Sequence, residues 1–346
     1  QGAHGRRAMS TQAILTHQTR YRSDRPVDLG PQTIPLRPSS TARTPVRSYT
    51  LRVAPTDCKQ TWHQDSYGNH VAEVVFAERV THFDIIVRLE VDLTPRNPFD
   101  FLLEPSIRQW AAPAGFTTAL HEDAAQHRAQ SIQYQQQAAH DGMFASQTSF
   151  ELSATQGQFY VQEDHAALAL YCATSAAGPH LYAFLTDWVE KAPQNTLDML
   201  VALNRAVARR IGYQVRLESG VWSPEETLTR GIGSCRDSAW LMIALLRHLG
   251  FAARFVSGYL IQASQNADGE EVLTCDLHAW AEAFLPGAGW VGFDTTSGLL
   301  AAQGHLPLAA TPAPEHAAPV TGVLDPCKAT FEVSMQTERL HVPDSD

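Results

Sequence analysis

The stretch GIGSCRDSAWLMIALLRHLG, residues 231–250, decides the fold prediction for the rest of the chain. It indicates a glycine-rich turn that runs into one helix, because apolar residues recur through it at helical spacing. Apolar residues also fill the other side, which predicts a helix buried nearly all round. Ser234 is placed to cap this helix, and Asp237 resembles the second member of a capping box. Gly250 supplies the stop.

Cys235 falls in the first turn of this predicted helix. Free backbone N–H groups and the positive end of the helix dipole stabilise a thiolate at such a position. An inert cysteine fits the same position, because cysteine is among the residue types most often buried. The stretch by itself leaves a nucleophile and a packing residue as equal alternatives.

The chain has 346 residues, enough for two domains and a sizeable core. Its formal net charge of −10 argues against nucleic acid or an anionic membrane surface as the main partner. No apolar run has the length that a bilayer requires, and no signal peptide is recognisable. We expect a cytoplasmic protein in which residues 1–8 precede a native start at Met9. The sequence does not indicate the oligomeric state.

The cysteines are sparse and irregularly spaced. There are five of them: Cys58, Cys172, Cys235, Cys275 and Cys327. An odd, irregular set does not form a disulfide framework and suits a reducing compartment, where one thiol stays reactive. The sequence contains neither a CxxC pair nor an HExxH motif, and no EF-hand loop is recognisable. We therefore expect neither a metal nor a cofactor.

Changes in sequence character divide the chain into four regions. Residues 10–104 alternate with period two between prolines, which predicts a small antiparallel β-sheet or sandwich domain. Residues 105–163 are rich in Gln and His and predict a polar, partly helical linker. Residues 164–300 combine helices with later strands and predict an α+β core. Residues 301–346 are rich in Ala and Pro and predict a surface-wrapping tail with a last strand near 331–335.

His278 and Asp294 lie on the two strands of one predicted hairpin. A turn of three or five residues places them on the same face, whereas a four-residue turn at 286–289 places them on opposite faces unless a bulge intervenes. A helix-start cysteine followed by histidine and then aspartate is the order of a Cys–His–Asp triad. The residues alone leave a strand histidine satisfied by a neighbour and a turn-capping aspartate as alternatives.

Several segments resemble motifs of one family. GIGSCRDSAW at 231–240, DLHAWAEAFLPGAGW at 276–290 and GFDTT at 292–296 resemble the core motifs of the bacterial transglutaminase-like superfamily. DLGPQ at 28–32 and QDSYGN at 64–69 resemble the N-terminal domain that accompanies this core in many bacterial members. The resemblance implies a papain-like α+β fold, the transglutaminase-core cysteine proteinase fold, preceded by a small antiparallel β domain.

The resemblance also implies residue roles. Cys235 is implied as the nucleophile, His278 as the general base and acid, and Asp294 as the residue that orients the histidine. The family usually has proline after this aspartate, where this chain has Thr295, which loosens the following turn. The backbone N–H of Cys235 is a natural oxyanion donor. Candidates for a second donor or for the cleft walls are Tyr213, Trp222 and Trp280, each of which also fits core packing.

Together these implications predict a cysteine-dependent acyl-transfer enzyme that acts on a peptide or protein substrate. We expect it to hydrolyse peptide or isopeptide amide bonds through a Cys235 thioester that water resolves. One alternative is a protein-glutamine γ-glutamyltransferase, in which an amine resolves the same thioester and forms a crosslink. A second alternative is a non-catalytic binding module with the same fold.

Overall fold

A computed structural model of the chain describes residues 11–112, 116, 160–265, 269 and 271–340. The described chain is mixed α+β, with a β-rich N-terminal part followed by a core that contains helices. This architecture confirms the fold class expected from the sequence. Within the described ranges, no helix has both the length and the apolar character needed to cross a bilayer.

The elements are named here in chain order. The N-terminal strands are β1 (Gln12–Val27), β2 (Leu29–Ile34), β3 (Val46–Ala54), β4 (Cys58–Gln64), β5 (His70–Phe76) and β6 (Val80–Asp92). The helices are α1 (Gln162–Cys172), α2 (Pro179–Lys191), α3 (Thr196–Arg210), α4 (Pro224–Arg230) and α5 (Cys235–His248), with short strands β7 (Gly212–Tyr213) and β8 (Ile232–Gly233). The later strands are β9 (Ala253–Gln265), β10 (Glu271–Leu285), β11 (Gly289–Asp294), β12 (Leu299–Ala301), β13 (His305–Thr311), β14 (Thr321–Leu324) and β15 (Ala329–Arg339).

The N-terminal part folds into two antiparallel four-stranded sheets. One has the strand order β15-β1-β6-β3 and the other has the order β14-β2-β5-β4. Period-two alternation along β6 buries Phe83, Ile85, Val87 and Leu89 on one face, as expected for a sheet with one covered side. This apolar face packs together with the other sheet and with Tyr259 of β9. The N-terminal sheets therefore share one buried apolar cluster with the core sheet.

The core places helix α5 against a five-stranded sheet of order β12-β11-β10-β9-β13. The helix is buried over almost its whole length, as its apolar sequence predicts. Ala279, Ala281 and Ala283 of β10 belong to the same buried cluster as the apolar side chains of α5. Small side chains at alternate positions allow the helix to approach the strand closely. The N-terminus of α5 is thereby held beside β10.

The predicted tail at 301–346 differs from the structure. Instead of only wrapping the surface, β13 pairs with β9 at the edge of the core sheet, so the core extends past residue 300. Strands β14 and β15 then complete the two N-terminal sheets by pairing with β2 and β1. The physical reason is that the open edges of these sheets require partners for their backbone groups. Sequence-local patterns carry no information on which remote segment supplies them.

The linker predicted at 105–163 lies mostly outside the described residues. Its first residues pack against the core, because Ile107 and Trp110 are buried in the same cluster as helix α5. The indole Nε1 of Trp110 donates a hydrogen bond to the carbonyl oxygen of Leu249 at 3.3 Å. This short part is therefore a structural segment of the core, not a solvated linker.

Candidate active site

Cys235 is the first residue of α5 and is half-buried. The helix start is held by the fully buried carboxylate of Asp237, whose Oδ2 accepts from the backbone N–H of Ser234 at 2.8 Å and from its hydroxyl at 2.7 Å. The same carboxylate accepts from Arg216 Nε at 3.0 Å and from the backbone N–H of Trp222 at 2.8 Å. The turn before the cysteine is therefore fixed by charge-assisted hydrogen bonds.

The β10–β11 hairpin decides where His278 and Asp294 point. Leu285 pairs with Gly289, so the turn at 286–288 contains three residues. With this register, the side chains of His278 and Asp294 emerge on the same face of the sheet. The imidazole Nε2 of His278 donates to Asp294 Oδ1 at 3.1 Å.

The side chain of Cys235 lies close enough to the imidazole of His278 to raise its pKa. Because Nε2 faces Asp294, Nδ1 is the ring nitrogen left for the thiol. Burial lowers the pKa of His278, but hydrogen bonds to Asp294 and Cys235 and their negative charges outweigh burial and raise it to about 10. The imidazole, which lies between the thiol and the carboxylate, is therefore protonated at neutral pH.

Asp294 is 1% exposed and accepts hydrogen bonds on both oxygens. Oδ1 accepts from His278 and from the backbone N–H of Thr296 at 2.9 Å. Oδ2 accepts from Ser297 Oγ at 3.0 Å and from His305 Nε2 at 3.4 Å. Burial raises the pKa of this carboxyl, but bonds from the two histidines more than offset burial and hold the pKa well below its usual range. Asp294 is therefore a fixed anion.

His305 is a site residue that the sequence prediction missed. It begins β13, and its Nδ1 accepts from the backbone N–H of Ala302 at 3.3 Å. In the neutral ring Nε2 then carries the hydrogen and donates it to Asp294. The ring packs edge-on against Trp280 with 5.1 Å between centroids. No sequence motif marks this histidine, because the edge strand that carries it was assigned to the tail.

Trp280 and Trp222, two candidates for the cleft walls or the oxyanion hole, have packing roles. Trp280 is 1% exposed and stacks behind His278, with 6.3 Å between ring centroids, so almost all of its surface is packed against the protein. Trp222 lies between the guanidinium groups of Arg216 and Arg230, at 4.1 and 4.4 Å from its ring centroid. The backbone N–H of Trp222 is engaged with the buried carboxylate at the helix start, so it does not serve as an oxyanion donor.

Tyr213, the third candidate, is 59% exposed on the two-residue strand β7, where it pairs with Gly233 just before the cysteine. Partial burial, and then the negative charges of Cys235, Asp276 and Asp294, raise the pKa of its phenol. The hydroxyl therefore remains protonated and able to donate.

Thr295 stands where the family usually has proline. Its hydroxyl donates to Ser238 Oγ of α5 at 2.8 Å, and both side chains are buried. Asn204 Nδ2 of α3 donates to the carbonyl oxygen of Asp294 at 3.3 Å. The residues after the triad aspartate are therefore held by hydrogen bonds to two helices, which offset the missing ring of a proline.

Among the residues that the structure describes, His278, Asp294 and His305 form a group with metal-ligating atoms, all within 4.8 Å of one another. Their mutual hydrogen bonds account for this closeness. The two imidazole nitrogens that face the carboxylate act as donors to it, so each would have to lose its proton before it could bind a metal ion.

Comparison with known proteins places this geometry in a family. A model of the transglutaminase-like superfamily core matches residues 183–295, which contain Cys235, His278 and Asp294. A model of the bacterial transglutaminase-like N-terminal region matches residues 14–92. The chain belongs to the transglutaminase-like superfamily. This superfamily is a family of cysteine-based enzymes. The match agrees with the family resemblance seen in the sequence.

Comparisons of sequence and of structure find similar proteins in bacteria. An uncharacterised protein of Mycobacterium tuberculosis is 25% identical over 307 residues, which cover 84% of this chain and 81% of that protein. An uncharacterised protein of Bacillus subtilis is 36% identical over 72 residues, 19% of this chain and 10% of that protein. The crystal structure of a proposed cysteine protease from Cytophaga hutchinsonii aligns with a TM-score of 0.54 at 18% identity, covering 96% of this chain and 92% of that one. This likeness shows that the two chains share a fold over nearly their whole length.

Proposed function

We propose that the protein is a cysteine-dependent acyl-transfer enzyme that hydrolyses peptide or isopeptide amide bonds in a peptide or protein substrate. One observation carries the proposal: the imidazole of His278 donates to the buried anion of Asp294 and lies close enough to the thiol of Cys235 for that group to raise its pKa. This arrangement supplies a nucleophile, a proton carrier and an orienting carboxylate in contact with one another. A non-catalytic binding module has no need of this buried charge arrangement, which costs desolvation energy.

In the proposed acylation, Cys235 Sγ attacks the carbonyl carbon of the amide. His278 holds the thiol proton, and the resulting imidazolium is stabilised by Asp294. When the tetrahedral intermediate collapses, the imidazolium gives its proton to the leaving nitrogen, the C–N bond breaks and an amine is released. The acyl group then remains on Cys235 as a thioester.

The oxyanion of the tetrahedral intermediate requires hydrogen-bond donors. The backbone N–H of Cys235 lies at the first position of α5, where helix N–H groups have no intrahelical partner. We assign the second donor to the hydroxyl of Tyr213, because it is exposed, protonated and close enough for the charge of Cys235 to affect its pKa. Tyr213 pairs through its backbone with Gly233, two residues before Cys235.

In the proposed deacylation, water attacks the thioester. The neutral His278 left after acylation takes a proton from this water and returns it to the sulfur of Cys235 as the C–S bond breaks. A carboxylic acid leaves and the thiol is restored. We propose water because it needs no binding site of its own, whereas crosslinking requires a second site for the incoming amine.

The experiment incubates the protein with a glutamine-containing peptide and a labelled primary amine. Release of ammonia or of a cleaved peptide, without amine incorporation, supports the hydrolase. Amine incorporation would instead identify a crosslinking transferase. Both activities require Cys235, so Cys235→Ala must abolish either one, while Cys327→Ala, at another half-buried cysteine, must leave it unchanged.

A second measurement separates the oxyanion hole from the nucleophile. Tyr213→Phe removes one hydroxyl and is expected to lower amide turnover by about 100-fold, the usual effect of losing one oxyanion donor. Alkylation of Cys235 by iodoacetamide forms no oxyanion, so the same variant should alkylate at the wild-type rate. Equal turnover by Tyr213→Phe and the wild type would exclude this hydroxyl as the second donor.

A further inference from the structure

A cavity of about 870 Å³ lies beside the loop that joins β2 to β3, away from the triad. Its basic lining residues are Arg37, Arg43, Arg47, Arg96 and His70. Among the described residues that line it, there is no carboxylate. A cavity with four arginines and no acid is a strong local excess of positive charge in a chain with a net charge of −10.

The arginines of this cavity are held in place by aromatic rings and backbone. The guanidinium of Arg37 lies 5.7 Å from the ring centroid of Tyr49 and 5.6 Å from that of Trp62. Arg43 donates to the carbonyl oxygen of Pro98 at 2.8 Å. Such contacts leave the charge of the guanidinium uncompensated while they restrict its movement. These two arginines are therefore arranged before any ligand arrives.

The remaining two arginines differ in their partners. Arg47 pairs with the carboxylate of Asp92 at 2.9 Å, so part of its charge is compensated. Arg96 is exposed, and the described residues include no carboxylate within ion-pair distance of it. Three of the four guanidinium groups thus face the cavity without an acidic partner in the part of the chain that the structure describes.

A second cavity of about 530 Å³ adjoins the first. The two share Ser39, Ser40 and Arg43 as a common wall. The second cavity adds Arg254, together with Glu282, which pairs with that arginine at 2.7 Å. The charges of Arg254 and Glu282 offset each other, so the second cavity adds no net charge beyond that of the shared Arg43. The two adjoining cavities are together named here the arginine cleft.

The loop that separates the two cavities is fixed to the core sheet. The backbone N–H of Ser39 donates to the carbonyl oxygen of Pro307 at 2.8 Å. The backbone N–H of Gly304 donates to Thr44 Oγ1 at 2.9 Å. Because both bonds join the N-terminal part to strand β13 or the turn before it, the arginine cleft has a preformed wall. A preformed site loses less entropy when a ligand binds.

We propose that the arginine cleft binds an acidic segment of a polypeptide, through its Asp or Glu carboxylates. Arginine pairs with carboxylates in a bidentate geometry. The first cavity, at about 870 Å³ and with several separate arginines, has room for several carboxylates of one chain rather than for a single small anion. The choice of a polypeptide rests on the proposed function, since a peptide or protein substrate would bring such a segment. Cys235 and His278 line neither cavity, whereas Trp280 and His305, which lie beside the triad, line the second. The arginine cleft therefore adjoins the triad but holds substrate apart from the reacting bond.

The experiment measures binding to the Cys235→Ala protein, so that its outcome does not depend on catalysis. A fluorescein-labelled ten-residue oligoglutamate peptide is titrated with this protein and followed by fluorescence anisotropy at low salt. Arg37→Gln and Arg96→Gln are each expected to weaken binding about threefold, and the double variant about tenfold, as for exposed ion pairs. Binding should also weaken as salt is raised through physiological concentration.

Matched controls remove the same charge elsewhere. Arg79, in the turn between β5 and β6, and Arg209, in α3, line neither cavity. The variants Arg79→Gln and Arg209→Gln should therefore bind the peptide as the parent protein does. Equal binding of an oligoglutamine peptide, or equal loss in the control variants, would overturn the proposal. Tighter binding of a single-stranded oligonucleotide of the same charge would also overturn it, in favour of a general polyanion site. Failure of the hydrolase proposal would appear in the turnover assay and leave this binding measurement unaffected.

Discussion

Replacing Asp294 with asparagine tests the charge arrangement on which the proposed chemistry depends. Asparagine has nearly the same shape, so the packing around this buried position is kept while one negative charge is removed. The amide oxygen can still accept from His278, but it cannot offset the charge of an imidazolium. The variant therefore isolates the electrostatic part of the triad.

The magnitude follows from the pKa of His278. The rise from 6.5 to about 10 corresponds to about 5 kcal/mol in favour of the protonated imidazole. Burial acts in the opposite direction, so without the carboxylate the pKa of His278 should fall to its ordinary value or below. In Asp294→Asn the imidazole is then largely neutral at pH 7. We expect amide turnover to fall by about 10⁴-fold, comparable with the loss of the acid in other triads.

The assay needs no knowledge of the substrate. The protein is treated with iodoacetamide between pH 6 and 9, and carboxamidomethylation of the peptide that contains Cys235 is measured by mass spectrometry. In the wild type the rate should be nearly independent of pH, because the imidazolium persists throughout this range. In Asp294→Asn the rate at pH 7 should be at least tenfold lower and should rise with pH, because a free thiol reacts through its thiolate.

The matched control is Asp276→Asn, which removes one carboxylate from an exposed position on the same strand as His278. It should leave the rate and its pH dependence unchanged. If Asp294→Asn keeps a pH-independent rate within about threefold of the wild type, or if the control changes as much, the assignment of Asp294 is wrong. Modification of Cys58, whose pKa is raised by burial and by Asp57, serves as an internal reference.

The same pair makes stability depend on pH. His278 has a folded pKa above its unfolded value, so its contribution is fully present below pH 6.5 and is lost as pH rises through about 10. Asp294 has a depressed folded pKa, so its contribution is present above its unfolded pKa and is lost only in strong acid. Thermal unfolding should therefore show the wild type losing more stability than Asp294→Asn between pH 7 and 10.5. An equal loss would contradict the raised pKa of the histidine.

Two further predictions concern positions that support the site. His305→Leu removes a donor to Asp294 and should lower the alkylation rate of Cys235 at pH 7 about tenfold. His305→Gln keeps an N–H donor, so its alkylation rate should stay within about threefold of the wild type. Equal losses in the two variants would show that the ring acts by packing alone. Gly287 has φ +88°, and a Cβ there would lie 2.6 Å from the carbonyl oxygen of Leu102, so Gly287→Ala should lower unfolding free energy by about 2–4 kcal/mol. Gly289→Ala, with φ +72° and open space, should cost only about 1 kcal/mol in the same thermal unfolding measurement.

The helix that carries the nucleophile was predictable because its information is local. Apolar spacing over 231–250 predicted a buried helix, and Ser234 and Asp237 marked its start. The structure adds what Asp237 does besides capping, since its carboxylate also fixes Arg216 and Trp222 of the preceding loop. Those partners lie outside the helical pattern, and no periodicity could identify them.

The relative orientation of His278 and Asp294 was not decided by the sequence. The sequence allowed a turn of three, four or five residues. The structure has three, at 286–288, and this length brings the two side chains to one face. Gly287 of this turn lies against the backbone of Leu102 and Glu104, from a segment distant in sequence. The register therefore depends on a tertiary contact that a local pattern cannot contain.

The sequence by itself determined the fold class, the buried helix and the order of cysteine, histidine and aspartate, because helical spacing, capping residues and motifs are properties of short segments. The tertiary structure decided which groups surround Asp294, that Trp280 packs behind the histidine, and that β13 brings His305 to the carboxylate. It also decided that loop and strand residues remote from one another assemble the arginine cleft. The physical reason is the same in each case: sheet edges select distant partners through backbone hydrogen bonds, and the side chains on those partners come together only after pairing.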